Sequence, residues 1–458
     1  MTTSTLQDMA RSIFRQSLAD CSIERAFGRA IHVTAEDGNL NLLVNGFEPI
    51  DLDRLEHIRV IAIGKASTAM LNAVLVCLKP CTRHDISGVL IAGEKPSSLP
   101  PDFQFFQGGH PLPNQASQDG ARAALKMLAD LQKDEAEAAE TLVLFLISGG
   151  ASAMMELPLD PTISLEDTRS FYRELVHSGA SIAEINCIRK HFSAVKGGRL
   201  AMAAQGIASL SLLISDVPPG HLDALASGPT LPDTSTAEQC REILARYDLQ
   251  SRFPLSVQQF FDRHDLPETP KPETFTARAI TLLNSDDLAE AAQSRAEELG
   301  FHVVIDNTCD DWDYRAAAEY LVDRLRSLRS IYPRVCLISS GEVTVKLPSA
   351  AQQDLSGVGG RNQHVSLYAA TLLKPSDAST VILSAGSDGI DGNSPAAGGI
   401  VDEQTLHAGA SGEAFREAKQ SLQAFDSYTF LERMGATVST GPTGNNLRDL
   451  RILLSATN

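Results

Sequence analysis

Five times along the chain an apolar, strand-length run stops at a cluster of glycine, small hydroxyl residues and one or two charges. Residues 58–63 run into Gly64-Lys65-Ala66-Ser67, residues 142–147 into Ser148-Gly149-Gly150-Ala151-Ser152, and residues 210–214 into Ser215-Asp216. Residues 335–338 end at Ser339-Ser340-Gly341-Glu342, and residues 381–383 at Ser384-Ala385-Gly386-Ser387-Asp388-Gly389. In an open α/β sheet, ligands bind outside the carboxyl ends of the strands, where glycines let backbone N–H groups approach a charged group. The pattern implies an enzyme that handles a small, polar, anionic substrate.

From about residue 57 to 215 the apolar strands alternate with amphipathic segments, the signature of βα units around a largely parallel sheet. Ser117 opens a predicted helix to about Gln132. Ser164 with Asp167, and Ser181 with Glu184, match the capping-box spacing, predicting helices that stop near Gly179 and near Gly197-Gly198. Between 217 and about 275 the texture changes, with Pro218-Pro219-Gly220, Ser227-Gly228-Pro229, Pro267, Pro270 and Pro272. Prolines at that density end regular structure and place a domain boundary at about residue 275. Beyond it, residues 279–283, 287–299 and 301–305 read as strand, helix and strand. Further strands at 334–338, 343–347 and 380–383 make the second half α/β as well, with at least one short hairpin.

A chain of 458 residues exceeds what one hydrophobic core usually supports, so two domains are expected, 1–275 and 276–458. Its formal charge is −18, from 39 Lys and Arg against 57 Asp and Glu, which argues against a nucleic-acid partner. Anions must then be held by a few local cations and backbone N–H groups. The seven cysteines are scattered and form no C-x-x-C pair, which predicts reduced thiols in a cytoplasmic protein. Residues 2–29 carry an apolar stripe through Met9, Ile13, Phe14 and Leu18 that suits an amphipathic helix better than a signal peptide. The apolar runs are far shorter than the roughly 20 residues of a membrane span, so no membrane role is expected.

Each motif has a chemical and a plainer reading. Lys65, between a strand and the helix carrying Met70, Leu71 and Val74, is placed to neutralise a phosphate or carboxylate, or it is a solvated turn lysine; no Walker A spacing occurs anywhere in the chain. Ser148, Gly149, Gly150 and Ser152 can wrap an anion with successive N–H groups, and tight-turn chemistry accounts for them equally well. Asn186, Arg189 and Lys190 lie in the densest basic cluster of an acidic chain, either a carboxylate clamp or a solvated basic face. Asp216, Glu342, Asp388 and Asp391 are candidates for a metal or a hydroxyl proton, or for turn caps. Arg361, after Gly359-Gly360 at a predicted helix start, can grip an anion bidentately or sit in a surface loop.

Taken in order, these segments resemble the class II glycerate 2-kinase family, whose members join an N-terminal glycerate-kinase domain to a C-terminal MOFRL-type domain. The resemblance rests on residues 63–66, Gly108-Gly109-His110-Pro111, Ser148-Gly149-Gly150, residues 186–198, Ser215-Asp216-Val217-Pro218 with Ser227-Gly228-Pro229-Thr230, Gly359-Gly360-Arg361-Asn362-Gln363, residues 385–392 and residues 440–445. It implies two α/β/α three-layer domains, the first Rossmann-like with a largely parallel sheet and the second with a mixed sheet. It implies ATP and Mg²⁺ as cofactors and D-glycerate, or a similar sugar acid, as substrate. The family's catalytic lysine and arginine fall on Lys65 and Arg361, one in each half, which places the expected active site in a cleft between domains. On this reading Asp216 orients the hydroxyl or holds metal. Ser148, Gly149, Gly150, Ser152, Asn186, Arg189, Lys190 and Asn362 hold substrate and phosphate, Gly341, Glu342, Gly386, Asp388 and Thr443 hold nucleotide, and Glu342, Asp388 and Asp391 hold the metal. A homodimer is compatible with it.

The chain departs from the family pattern at Ala151 and at Pro219-Gly220-His221, which leaves a kinase for a related sugar acid open. Two rivals remain at this stage. An NAD(P)-dependent hydroxypyruvate reductase requires a G-x-G-x-x-G turn with an acid about 20 residues on, and none is present. A non-catalytic sugar-acid sensor would leave so many polar strand ends without a purpose.

Overall fold

All five apolar runs form largely buried strands, since cover on both faces favours near-continuous apolar side chains. The computed structural model describes residues 3–36, 39–81, 83–347, 356–407 and 412–456, and the chain divides into two compact units. One is Ile23–Leu282, and the other joins Met1–Ser22 to Leu283–Asn458. The expected boundary at 275 lies just ahead of this division, and the amphipathic N-terminal helix, Thr3–Asp20, belongs with the second unit. There it packs on the helix Ser285–Glu298, where Asp20 pairs with Arg295 at 2.7 Å. Among the described residues no helix is long and apolar enough to cross a membrane.

In the unit Ile23–Leu282, β1 (Ile31–Glu36), β2 (Asn39–Val44) and β3 (Ile50–Asp51) form a small antiparallel sheet that no periodicity announced. The main sheet contains β4 (His57–Ile63), β5 (Asp85–Ala92), β6 (Phe103–Gln107), β7 (Thr141–Ile147), β8 (Ala208–Ile214) and β9 (Ala279–Leu283), in the order 6-5-4-7-8-9. The pairs β6–β5, β5–β4, β4–β7 and β7–β8 are parallel, so their carboxyl ends share one edge. β7 is central and buried at every position.

Local capping explains where the helices begin. Ser164 accepts the N–H of Asp167, and Ser181 with Glu184 makes a reciprocal box, as the spacing predicts. The helix Gln115–Leu131 starts two residues before the expected Ser117, because Asn114 is the cap and Ser117 reaches back to it. The helix Ile182–Phe192 stops short of Gly197-Gly198. Ser193 turns extended there and bridges Pro158, while the two glycines, at φ +57° and +84°, open a separate turn at Arg199–Met202.

The second unit's sheet comprises β10 (His302–Ile305), β11 (Arg334–Ser340), β12 (Thr380–Gly386), β13 (Gly398–Asp402), β14 (Thr437–Val438) and β15 (Asp449–Ala456), in the order 10-11-15-12-13-14. It is mixed: β10–β11 is parallel, while β15 runs antiparallel to both β11 and β12. The expected strand at 343–347 reduces to a single bridge between Thr344 and Asp313, because Gly341, at φ +109°, turns the chain away from the sheet. Most of the loop between it and the helix Arg361–Leu372 lies outside the described residues.

Around the parallel sheet, the helices Leu165–Val176, Ile182–Phe192 and Leu255–Phe261 interlock through an aromatic cluster. Phe171 stacks on Phe192 with centroids 4.2 Å apart, and Phe260 and Phe261 close on the same ring. Removing a fully buried ring loses its transfer energy and leaves a cavity, so Phe192→Ala is expected to lower stability by about 3–5 kcal/mol, read as a lower urea midpoint with an unchanged m-value.

Candidate active site

The parallel register Ile63↔Ile147 sets two polar turns side by side. Ser148 N–H donates to Ile63 O at 3.0 Å, and Lys65 N–H to Gly149 O at 2.9 Å. Ala66 N–H donates to Ser148 Oγ at 3.0 Å. Gly64 has φ +117°, and a Cβ there would stand 2.4 Å from Ser148 Oγ and 2.6 Å from Ser148 O, so only glycine fits. The Lys65 side chain emerges exposed from this junction, and among the described residues it makes no ion pair.

The next two glycines carry the charged groups. A Cβ on Gly149 would lie 1.8 Å from Asp216 Oδ2, so that carboxylate rests against the Gly149 Cα. Asp216 reaches it because β8 runs parallel beside β7, pairing Ile147 with Leu213. A Cβ on Gly150, at φ +82°, would lie 3.0 Å from Lys65 Cγ and 3.4 Å from His110 Cδ2. His110 was no candidate from sequence beyond its motif. Its loop is pinned by Gly108 N–H on Ala92 O at 3.0 Å and Gly109 N–H on Ser117 Oγ at 3.0 Å. Partial burial, helped by the neighbouring Lys65 charge, holds the His110 pKa below the ordinary histidine value.

The same loop is braced from behind. Ser152 and Ser227 hydroxyls meet at 2.8 Å, Ser227 Oγ donates to Asn186 Oδ1 at 3.0 Å, and Tyr172 OH donates to Ser152 O at 3.0 Å. The Arg189 guanidinium lies over the Tyr172 ring, 4.8 Å from its centroid, and its buried Nε has no hydrogen-bond partner. Lys190, expected beside it as an anion clamp, is instead buried between Asp223 at 2.9 Å and Asp233 at 3.0 Å. Adjacent helical residues point about 100° apart, so the two cations serve different surroundings.

In the other unit, the antiparallel course of β15 brings its first residues to the carboxyl ends of β11 and β12. Arg361 forks onto Asp449, Nε–Oδ2 2.5 Å and Nη2–Oδ1 3.1 Å, and reaches Glu342 at 2.8 Å. Burial opposes its charge, but these carboxylates outweigh burial and raise its pKa above the ordinary arginine value. Arg448 forks onto Asp310 with both contacts at 2.8 Å, and Asp310 accepts Glu342 N–H at 2.9 Å. Gly341 must be glycine at that crossing, since a Cβ would come within 2.5 Å of Asp310 Oδ1. Asp449, Arg448 and Asp310 were missed in the sequence; the signal for the first two was a charged pair at the start of a largely apolar run.

Three expected ligand contacts have structural employment. Asp391 is buried, and its oxygens accept Asn362 N–H at 3.1 Å and Gln363 N–H at 2.8 Å, capping the helix Arg361–Leu372. Asn362, also buried, donates to Asp391 and accepts Ser384 Oγ–H at 2.6 Å. Thr443 ties its turn to the end of β12 through Ser387 O at 2.7 Å and Asp388 O at 3.0 Å. Gly386 lies beneath Asp388 and Asp449, whose carboxylates would be 3.1 and 3.5 Å from a Cβ there. Among the described residues no group of three His, Cys, Asp or Glu could hold a metal. Burial and its bonds to the helix N–H groups, rather than the lack of such a group, set Asp391 apart from the expected metal set, and Glu342 pairs with Arg361. Asp388 Oδ1 accepts Ile390 N–H at 3.1 Å, and its Oδ2 has no hydrogen bond among the described residues.

Two outcomes are expected. In Gly149→Ala the new methyl displaces a flexible carboxylate rather than backbone, so the melting temperature should stay within about 2–3 °C of wild type while kcat/KM falls at least about tenfold, on the expectation that Asp216 must be held in place. Burial of Asp391, assisted by the Asp449 charge, pushes its pKa up to about 7. A folded-state pKa above the unfolded value favours folding fully at low pH, and that contribution is lost as pH rises from about 4 through about 7. Stability measured by urea unfolding should decline over that window in the wild type, and the decline should be shallower in Asp391→Asn.

Comparison with known proteins finds two family matches along the chain. Residues 9–262 match a domain family described as a domain of unknown function (DUF4147), and residues 335–449 match the MOFRL family. The chain is 35% identical to the D-glycerate 2-kinase of Thermotoga maritima over 87% of this chain and 90% of that protein. It is 33% identical to a putative hydroxypyruvate reductase of Agrobacterium vitis, over 86% of each. The crystal structure of glycerate kinase from Thermotoga maritima superposes with a TM-score of 0.80 at 32% identity, covering 99% of this chain and 100% of that one. The chain is an enzyme and belongs to the glycerate kinase family.

Proposed function

We propose that the enzyme transfers the γ-phosphoryl group of ATP to the 2-hydroxyl of D-glycerate, giving 2-phosphoglycerate and ADP. The observation that carries this reading is Lys65: an exposed ammonium that makes no ion pair among the described residues, standing over a glycine turn, with Asp216 on the adjoining glycine. Phosphoryl transfer needs little covalent help from the protein. It needs positioning, and charge placed where the migrating group passes. Lys65 supplies that charge and the Ser148–Ser152 turn supplies N–H groups, while Asp216 orients the acceptor hydroxyl.

Arg189 is the proposed partner for the substrate carboxylate, being a second cation of the same unit that makes no ion pair among the described residues. Arg361 is the proposed second catalytic cation. Asp449 and Glu342 hold it in a set orientation, and its Nη1 donors remain open. Magnesium usually takes one or two carboxylates and completes its shell with water and nucleotide phosphates. Asp388 fits that demand, and a bound Mg²⁺ would supply further charge neutralisation at the phosphates.

A reductase would bind a dinucleotide on a G-x-G-x-x-G turn, and the turns after β4 and β7 read Gly-Lys-Ala-Ser and Ser-Gly-Gly-Ala instead. ADP release should therefore be measured with Mg-ATP against glycerate, erythronate, tartronate and hydroxypyruvate, with ³¹P NMR locating the phosphate on the product. Glycerate is expected to give the highest kcat/KM, and turnover that requires NADH and ignores ATP would reject the reading. Lys65→Ala and Arg361→Ala should each lower kcat/KM at least about a hundredfold. Near-normal turnover in both would show that these cations do not meet the transferring group.

A further inference from the structure

The side chain that the proposed reaction leaves unassigned is His110. Its loop is fixed at both ends: Gly108 and Gly109 hydrogen-bond to Ala92 and Ser117, and Asn114 caps the following helix. Both glycines are obligatory there, because a Cβ on Gly108 would lie 2.6 Å from Met154 O and one on Gly109 2.3 Å from Leu112 O. A loop built this tightly delivers one side chain, and it delivers the imidazole to the edge of Gly150, beside Lys65. Among the described residues neither ring nitrogen of His110 makes a hydrogen bond, although the ring is partly withdrawn from solvent. A held imidazole with both nitrogens open, next to an unpaired ammonium, is arranged for a ligand rather than for the fold.

We propose that His110 contacts the acceptor hydroxyl of the sugar acid and takes its proton as the phosphoryl group arrives. This rests on the kinase reading above. As the substrate O–H bond breaks, the proton passes to a ring nitrogen lone pair. The oxygen bonds to the γ-phosphorus, and the bond from that phosphorus to the β–γ bridging oxygen breaks, its electron pair leaving with ADP. The ionisable group shown facing the ring is Lys65, on the same glycine, while Asp216 stands on the neighbouring Gly149. Partial burial and the Lys65 charge both disfavour the imidazolium, which favours the neutral form able to accept a proton. The incoming phosphoryl charge then offsets the imidazolium as it forms.

His110→Gln and His110→Ala should lower kcat/KM at pH 8 by about a hundredfold with KM for ATP unchanged. They should also abolish the loss of activity that the wild type shows as pH falls through the histidine range. Asp216→Asn should keep that acid limb. Thermal unfolding of His110→Gln within about 2 °C of wild type verifies folding, as expected for a side chain with no hydrogen bond among the described residues. A His110→Gln enzyme within about threefold of wild type with the same acid limb overturns the assignment. So does a limb that vanishes in Asp216→Asn and survives in His110→Gln.

A second measurement is independent of turnover. The Cε1–H resonance absent from His110→Gln should shift on adding D-glycerate without nucleotide, and its titration midpoint should rise beside the added carboxylate. A resonance unmoved at 50-fold higher glycerate than needed to saturate turnover, or at about 100 mM where turnover is absent, overturns the contact. Wild-type enzyme that releases no ADP with any acid refutes the kinase reading, and the resonance then decides the contact alone.

Discussion

The close approach of charged side chains to bare backbone at the ends of β4, β7 and β8 is the constraint on which the site depends. Asp216 occupies the space where a side chain on Gly149 would be, and Lys65 and His110 crowd the edge of Gly150. That proximity exists because three parallel strands in register end together, and the turns that follow β4 and β7 are hydrogen-bonded to each other. Were either glycine to acquire a side chain, the charges would have to separate. The geometry is thus a property of the sheet edge, and the helices serve to hold that edge in place.

The two units treat their cations differently. In Ile23–Leu282, Lys190 and Lys196 are buried with carboxylates, Lys196 pairing with Glu156 at 2.6 Å. Such pairs hold one element to another rather than adding much net stability, since desolvation offsets most of the attraction. Among the described residues Lys65 and Arg189 make no ion pair, which matters in a chain of net charge −18, where the surrounding field repels anions. In the second unit Arg361, Arg448 and their carboxylates form a network in which each guanidinium is forked onto one aspartate. A forked arginine is held in plane and direction, so what it presents outward is a defined set of donors.

Much of the fold was legible because it is written in short-range chemistry. Apolar runs of strand length became strands, and the cap residues Ser164 and Ser181 opened helices, since both signals act within a few residues. The failures were non-local. The final apolar run, central in the mixed sheet as β15, carries Asp449 and Arg448 to the ends of strands far away in sequence, and nothing within a few residues of it states that partner. The strand expected at 343–347 was lost because the turn at Gly341 leaves the sheet. Asp391 and Asn362 looked like ligand residues because both are polar and near glycines. Burial against the start of one helix made them its cap and brace instead.

The sequence by itself determined that this is an α/β enzyme with polar, glycine-rich strand ends, and which residue types stand there. Hydrophobic period and turn chemistry are properties of neighbouring residues, and they survive without knowledge of the fold. Only the tertiary structure decided which of those residues share a surface: that His110 joins Lys65, that Lys190 is locked inward while its neighbour Arg189 is not, and that Arg361 answers to Asp449. Those outcomes depend on strand order and direction, which arise from packing across the whole chain and leave no local trace.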